Sequence, residues 1–372
     1  AAGRKIYAEM RDNDPTIGAL LNALELMLRA VEWRVEAAPA DTKGHHAQWL
    51  QQQLDTMTIP WRDSVAEMCS AFVFGFALFE KILRRNDDGT IGIERLAPRS
   101  ADTIVRWEFD AAGQWQAALQ RAPDGQTISL PRRILMLIAP KMQRGNPEGR
   151  SLLRNAYTSY YHIKRLQTIE AIAIERELNG LPVVFAPSAA LKDAAVKDKL
   201  DKIARDLKFN EQGGVVMPSD LFMDRNGGYS NTRQFDIQLL ASQGTRSIDT
   251  GAVITRYQHD MLRAVLADFL MLGSSTSGSY ALASNKSELF LRSLEAYIQQ
   301  IAESFQRDVI AMLWTLNGFD NVAMPRLIAG SVRPVDLNEL GGFVSALSGA
   351  GIALDDNATA NQLRQSAKLP RI

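Results

Sequence analysis

A helical pattern of unusual length constrains this chain more than any other feature of its sequence. It spans residues 148–179, after the loop signal Gly145-Asn146-Pro147, and ends at Asn179-Gly180, a pair typical of a helix C-terminus. At a rise of about 1.5 Å per residue such a helix is roughly 45 Å long, which exceeds the length of most helices in globular domains. The pattern therefore predicts a stalk or a wall in addition to a compact core.

Two more long helices are predicted after the first. Residues 242–272 form one, interrupted only by Gly251, and residues 285–316 form the other. Between the first and second long helices lies an insert, residues 180–241. It contains predicted strands at 182–185, 213–218 and 234–240, a turn at 224–230 and one charged helix that starts at Ser188. Shorter helices are predicted near the C-terminus at 337–347 and 358–368.

A β-rich region precedes the first long helix. Residues 78–85 and 91–96 flank Asn86-Asp87-Asp88-Gly89, which is a strong hairpin signal. The region predicts a small antiparallel sheet packed on N-terminal helices, so the fold class is α+β. The other predicted strands are 31–36, 103–109, 115–119, 127–130 and 134–138, and the predicted N-terminal helices begin at Asp14-Pro15, at His46 and at Trp61, the last continuing to Phe79.

The charge balance limits the kinds of nucleic-acid binding that the chain can carry out. Lys plus Arg equals Asp plus Glu at 42 each, so the formal net charge is zero. A free nucleic-acid-binding domain is usually clearly basic. The composition therefore argues against a simple DNA binder, although it is compatible with a protein that surrounds DNA without gripping it.

The sequence contains no compact motif for catalysis or cofactor binding. It has no phosphate-binding P-loop, no dinucleotide-binding glycine pattern after a strand and no nucleophile elbow. Its four histidines lack the spacing of metal ligands on one helix face. Cys69 lies in an apolar run and is expected to be a small buried hydrophobe. No enzyme activity, metal or cofactor is expected, and no apolar run reaches the ~20 residues of a membrane span.

Charge is distributed unevenly along the first long helix: basic residues lie before it and up to its middle, and acidic residues lie towards its end. This order opposes the helix macrodipole, which favours acidic residues at the start and basic residues at the end, so the charges are expected to serve contacts outside the helix. Two interpretations stay open: a solvated face with local ion pairs, and a complementary contact between neighbouring subunits. The basic residues in and before the helix are Lys141, Arg144, Arg150, Arg154, Lys164 and Arg165, and the acidic residues towards its end are Glu170, Glu175 and Glu177.

The stretch GSSTSGSY, residues 273–280, is the most Gly/Ser-rich part of the chain and separates the second and third long helices. A plain flexible linker has this composition. A mobile loop that touches something moving past it would have the same composition, and the sequence leaves both interpretations open.

The order of these parts resembles that of the portal proteins of tailed bacteriophages, in particular those of Mu-like phages. None of the stretches that carry the resemblance is catalytic, and their order over residues 4–326 is more specific than any one of them. They are DNDPTIGALLNALELMLRAVEWRVE, FVFGFALFEKILRRNDDGTIGIERLAPRS, GNPEGRSLLRNAYTSYYHIKRL and GSSTSGSYALASNKSELF.

The resemblance implies a ring, usually dodecameric, at one vertex of the capsid, with double-stranded DNA passing through its centre during packaging and ejection. It implies a wing at 1–147, two stem helices at 148–179 and 242–272, a clip at 180–241, a tunnel loop at 273–285, a long wing helix and strand at 286–326 and a short crown-like helical region at 327–372.

The same resemblance implies site residues and partners. The stem would meet neighbouring subunits, and the clip would dock the large terminase subunit and later a head-completion or adaptor protein. Major capsid and scaffold proteins are further expected partners, and the location is the virion after assembly in the host cytoplasm. The tunnel-loop residues are Ser274, Ser275, Thr276, Ser277, Ser279 and Tyr280, with Lys286 just beyond, and the subunit-contact residues are Arg150, Arg154, Lys164, Arg165, Glu170 and Glu175.

Two alternatives belong to other functional classes. A helical scaffold or adaptor protein would bind partners through the long helices without forming a channel. A nuclease with carboxylates scattered along the sequence would depend on a divalent metal, and the absence of a compact acidic motif argues against it.

Overall fold

A computed structural model describes residues 2–179, 181–208, 216–224, 227–240, 249–267, 280–319, 322–333, 337–350 and 357–366. The structure is 52% helix and 21% strand, which confirms the predicted α+β class. The chain divides into unit 1, Ala1–Tyr157 and His259–Ile372, and unit 2, Thr158–Gln258.

Unit 1 has one N-terminal helix that was not predicted, α1 (Ala2–Asn13), which lies ahead of Asp14. Asp14 itself caps α2 as expected: its side chain accepts a hydrogen bond from Ile17 N at 2.8 Å, and Pro15 occupies the first helical turn. The helix predicted from Trp61 to Phe79 stops at Phe74, because Gly75 adopts φ 88° and turns the chain into a strand. These helices are α1 (Ala2–Asn13), α2 (Pro15–Arg29), α3 (His45–Asp55), α4 (Trp61–Met68) and α5 (Ser70–Phe74).

The β-rich region forms two three-stranded antiparallel sheets, so the prediction of a single sheet is wrong. Strands β2 (Ala77–Arg85), β3 (Ile91–Arg99) and β7 (Leu135–Ile138) form one sheet in the order β3-β2-β7. Strands β4 (Ile104–Phe109), β5 (Trp115–Arg121) and β6 (Thr127–Pro131) form the other in the order β4-β5-β6. The 3-10 turns Ala101–Thr103 and Arg132–Ile134 connect the two sheets, and the second sheet buries Trp115 and Ala118 in a separate apolar cluster.

The core of unit 1 joins residues from both ends of the chain. The third long helix is continuous, although it begins at Tyr280 rather than at Asn285 and contains a π-helical turn: α10 (Tyr280–Phe305), the π turn Gln306–Ile310 and α11 (Ala311–Leu316). Phe305 packs edge-on against Trp61 at 4.8 Å between ring centroids. The buried Tyr297 donates its hydroxyl proton to Met68 O at 2.7 Å, and burial raises the pKa of this hydroxyl well above its ordinary value.

The π turn is fastened to the first sheet by polar contacts. Lys81 Nζ donates to the main-chain carbonyl of Asp308 at 2.6 Å, and Leu137 N donates to Asp308 Oδ2 at 3.3 Å. Burial lowers the pKa of the Lys81 ammonium. The register of α10 on the sheet is therefore set by hydrogen bonds as well as by apolar packing.

Among the remaining elements of unit 1, the first strand and the two C-terminal helices agree with the predicted pattern, whereas the sequence pattern predicted no strand at 326–329. Strand β1 (Trp33–Glu36) pairs antiparallel with β12 (Arg326–Ala329), with Trp33 opposite Ala329. The two short C-terminal helices are α12 (Leu337–Gly349) and α13 (Asn357–Ser366).

Unit 2 contains two small antiparallel pairs between helices. Strand β8 pairs with β11, and β9 with β10 around the predicted turn at 224–230. Residues 216–220 have no regular structure, so the strand-like prediction for 213–218 is wrong over its described part, and residues 213–215 lie outside the described residues. The elements are α6 (Tyr157–Asn179), β8 (Leu181–Phe185), α7 (Ser188–Lys192), α8 (Ala194–Lys208), β9 (Leu221–Met223), β10 (Tyr229–Arg233), β11 (Asp236–Leu240) and α9 (Thr250–Arg263).

Two of the long helices are shorter than predicted. The first begins at Tyr157 and not at Glu148, because Ser151 Oγ accepts from Leu153 N at 3.0 Å and caps a 3-10 turn. The second, α9, ends at Arg263 and not at residue 272. There Leu266 adopts φ 63° and Ala267 N donates to Leu262 O at 2.9 Å, which closes the helix end.

A close approach of backbones fixes the chain ahead of α6. A β-carbon added at Gly149 would lie 2.2 Å from Pro140 O and 2.5 Å from Gly75 O. Both atoms belong to the main chain and cannot move aside without shifting the loop or α5. Only glycine therefore fits at this position.

We predict that Gly149→Ala lowers the free energy of unfolding of the protein by about 1–3 kcal/mol, because it overpacks a backbone contact. Thermal denaturation followed by circular dichroism measures the effect. The matched control is Gly342→Ala on α12, where an added β-carbon meets nothing within 4 Å. Equal melting temperatures for the two variants would contradict the assignment.

Candidate functional site

Helices α6 and α9 of unit 2 run antiparallel and are joined at two levels. The His162 ring stacks on Tyr257 with centroids 5.4 Å apart and planes at 25°. Further along α6, Thr250 Oγ1 donates a hydrogen bond to the Glu170 carboxylate. An aromatic stack and a charge-assisted hydrogen bond hold this pair together.

One face of α6 carries exposed apolar side chains together with a cation. Tyr161, Arg165, Ile169 and Ile172, which we call the stem stripe, follow one another at helical spacing. Ile169 is 52% exposed and Ile172 43% exposed. Exposed aliphatic side chains on one helix face mark a surface suited to protein contact.

The predicted subunit-contact residues have different local surroundings. Arg165 is exposed on α6, and Lys164 is exposed beside it, with its carbonyl accepting from Thr168 Oγ1 at 2.9 Å. Glu170 is already engaged by Thr250 within the same chain, so it contributes to the α6–α9 pair. The side chain of Glu175 lies outside the described residues.

Arg150 and Arg154 lie ahead of α6, although the sequence pattern assigned both to the long helix. Arg150 Nη2 donates to Asn155 Oδ1 at 2.6 Å, and Arg154 ends the 3-10 turn Leu152–Arg154 with an exposed side chain. The apparent cationic end of the helix is therefore partly a loop, which weakens the argument from the macrodipole.

The predicted tunnel loop is shorter than expected at its C-terminal end. Ser274, Ser275, Thr276, Ser277 and Ser279 lie outside the described residues. Tyr280 is the first residue of α10, and Lys286 is half-buried in the second turn of the same helix. The loop prediction is thus wrong over 280–285, where α10 continues towards its N-terminus and contains the good helix formers Ala281, Leu282 and Ala283.

The hairpin of unit 2 presents an apolar surface that the sequence pattern did not single out. Met223 on β9 is 69% exposed and Tyr229, opposite it on β10, is 74% exposed, and Phe222, which precedes Met223 in β9, is 42% exposed. We call these three residues the hairpin patch. The signal was available: aromatic and methionine side chains directly flank the turn, where polar residues would be expected.

The described residues contain no arrangement suited to catalysis. Among them, no three His, Cys, Asp or Glu side chains are placed to hold a metal ion, and no described helix combines the length and apolarity needed to cross a bilayer. Cys69 is buried, and burial raises the pKa of its thiol to about 12. This thiol stays protonated near neutral pH and is a packing residue.

The sequence matches the family described as the portal protein of Mu bacteriophage over residues 4–366. The chain belongs to this family. The expected family is therefore confirmed, as is the expected place in the virion, and the family is structural rather than catalytic. The sequence matches none of the curated proteins.

Solved structures of gene transfer agent particles have a similar fold. A chain in the neck of the empty particle, computed with C6 symmetry, aligns with TM-score 0.59 at 11% identity, and the match covers 99% of this chain and 94% of that one. The virion of the native particle gives the same values. The neck of the native particle, computed with C12 symmetry, gives TM-score 0.58 with the same identity and coverage. At this identity the likeness shows the fold alone.

We predict that Cys69 of the folded protein does not react with a thiol reagent such as DTNB at pH 8, because both burial and the raised pKa suppress the thiolate. Absorbance of the released thiolate measures the reaction. The same protein in denaturant is the control and should release one equivalent, since the chain has one cysteine. Rapid labelling of the folded protein would show that the thiol is accessible.

Proposed function

We propose that this chain forms a ring-shaped channel at the portal vertex of a phage capsid, through which double-stranded DNA is packaged and ejected. The observation that carries the proposal is the match to the Mu portal family over nearly the whole chain, residues 4–366. The antiparallel pair of α6 and α9 supports it. In a ring built from copies of one subunit, each copy needs an exposed face that can contact the next copy, and α6 has such a face.

We assign parts of the chain to the regions of such a ring. The wing is residues 1–147 together with 286–326, the stem is α6 and α9, and the clip is 180–241. The tunnel loop is 273–279, and the crown-like region is 327–372. The division into a large and a small unit supports this assignment, since unit 2 contains the proposed clip and most of both stem helices.

The stem stripe is the proposed contact between neighbouring subunits. A closed ring uses heterologous contacts, in which one face of a subunit meets a different face of the next. The exposed isoleucines supply apolar area, and Arg165 with Lys164 supplies charge that orients the neighbour. Arg150, Arg154 and Glu175 are also proposed to meet neighbouring subunits.

The hairpin patch is the proposed docking surface of the clip. An isolated two-stranded hairpin is only marginally stable in water, and this one exposes an aromatic and a methionine side chain, which favours a protein partner. The proposed partners are the large terminase subunit during packaging and a head-completion protein afterwards. Capsid and scaffold proteins are proposed to meet the wing.

The channel itself is proposed to avoid tight DNA binding. The formal net charge of zero supports this, because extensive basic contacts hold DNA through the release of counterions. The hydroxyl-rich tunnel loop, with Ser274, Ser275, Thr276, Ser277 and Ser279, is proposed to touch the passing duplex through weak polar contacts, next to Tyr280 and Lys286.

We predict that the purified protein forms a ring of about a dozen subunits, and that Arg165→Glu raises the concentration needed for assembly by about tenfold. Native mass spectrometry and negative-stain images measure both. Arg95→Glu is the matched control, since Arg95 is exposed on β3. A discrete monomer or dimer that persists at high concentration and with scaffold protein present would favour a helical adaptor instead of a channel.

We predict that replacing Ser274, Ser275 and Ser277 by alanine leaves ring formation intact but lowers the amount of DNA packaged, because the loop is proposed to touch the duplex and not the neighbouring subunit. A packaging assay that counts protected DNA per particle measures this, with native mass spectrometry on the same variants as the control. Loss of rings in the triple variant would place the loop in the subunit contact instead.

A further inference from the structure

Residues 141–146, which we call the basic loop, form an exposed loop of unit 1 whose two ends are held together by backbone contacts. Arg150 N donates to Pro140 O at 3.2 Å and closes the neck of the loop. Behind the neck, Pro147 is buried and the backbone of Gly149 packs against Pro140 and Gly75. The position of the loop is therefore set by the core.

The side chain of Glu148, the acidic residue that follows the loop in sequence, already has partners within unit 1. It forms an ion pair with Arg4, and its Oε1 atom also accepts from Trp107 Nε1 at 3.0 Å. Arg4 is held in turn by the main-chain oxygens of Ala101 and Ile104 at 2.8 and 2.6 Å. Glu148 consequently anchors the base of the loop through α1 and the second sheet, and it does not pair with the loop cations.

The two cations of the basic loop are exposed, and neither forms an ion pair among the residues that the structure describes. Lys141 and Arg144 both carry exposed side chains. Some exposed arginines of unit 1 do pair, as Arg29 does with Glu25 at 3.0 Å, whereas others, such as Arg95, likewise have no ion pair among the described residues. The loop therefore concentrates uncompensated positive charge on a chain whose net charge is zero.

Both cations also occupy backbone positions that suit glycine better. Lys141 and Arg144 adopt φ 55°, in the left-handed region that residues with a β-carbon disfavour. Gly145, which follows Arg144, adopts a similar φ of 69° without that strain. Long cationic side chains held at two such positions indicate that the side chains serve a contact outside the fold.

We propose that the basic loop contacts the phosphate backbone of double-stranded DNA. Its other exposed residues suit this partner: Gln143 and Asn146 offer amide donors, and Gly145 leaves its backbone accessible, which are common ways of contacting phosphates. Met142 is the single apolar residue among the six, too little for the apolar centre of a protein interface. The choice of DNA as the polyanion rests on the proposed function.

A contact of this kind is compatible with transport. Lysine and arginine bind phosphates by releasing counterions, so the attraction is independent of base sequence and falls steeply with salt. Each loop has only two cations, and contacts that are independent of base sequence can be exchanged for equivalent ones as the duplex slides. The basic loop thus differs from the tunnel loop, whose proposed contacts are made by hydroxyl groups.

The test is a double variant, Lys141→Gly with Arg144→Gly, compared with the charge-retaining variant Lys141→Arg with Arg144→Lys. Fluorescence anisotropy with short labelled duplexes of two unrelated sequences gives the affinity at several salt concentrations, and thermal denaturation gives stability. We expect the glycine variant to melt at the same or a higher temperature, because strain is removed. Its DNA affinity should fall equally for both duplexes, and its log–log salt slope should fall by about 0.9 for each phosphate that the loop no longer neutralises.

The charge-retaining variant should keep both the affinity and the salt slope. Unchanged DNA binding by the glycine variant would overturn the proposal. So would a glycine variant that loses its rings while its remaining protein binds DNA as before, because the loop would then face an acidic surface of a neighbouring copy. Native mass spectrometry on the same samples keeps the proposed function separate: loop-dependent DNA binding by a protein that never forms rings would support this proposal and refute only the channel.

Discussion

The contact between the backbones of Gly149, Pro140 and Gly75 fixes the path of the chain through this part of unit 1. It holds the end of β7, the turn after α5 and the approach to α6 at distances that leave no space for a β-carbon. The pair formed by Arg4 and Glu148 closes over the same place and ties α1 and β4 to it. These contacts use main-chain atoms and a partly buried ion pair, and they lie directly ahead of the 3-10 turn that leads into α6.

Local turn chemistry made much of unit 1 predictable. The hairpin at Asn86–Gly89 and the cap at Asp14 are decided by residues within a few positions of each other, and the structure confirms both. The division into two sheets was not predictable in the same way. It depends on which strands share a buried face, and Trp107, Trp115 and Leu130 meet only in the folded chain.

The predicted helix boundaries were wrong where tertiary contacts override helical propensity. The pattern from Glu148 is compatible with a helix, yet Glu148 and Gly149 are committed to contacts with Arg4 and Pro140. Leu266 ends α9 without glycine or proline, so no sequence signal marked that end. For the candidate site, the long helices and their exposed cations were predictable, whereas the use of Glu170 within the chain and the apolar hairpin patch depend on pairings that a single sequence does not reveal.

The pairing of β1 with β12 has a consequence for the order of events during synthesis. Trp33 emerges from the ribosome early, but its partner Ala329 follows only after unit 2, α10 and α11 have been made. Contacts between residues this far apart in sequence form late, because closing so long a loop is entropically unfavourable. Residues 158–258 are complete well before that moment and are free to fold first. A nascent chain that has not reached β12 therefore lacks this two-stranded sheet, and β1 has no strand partner until then.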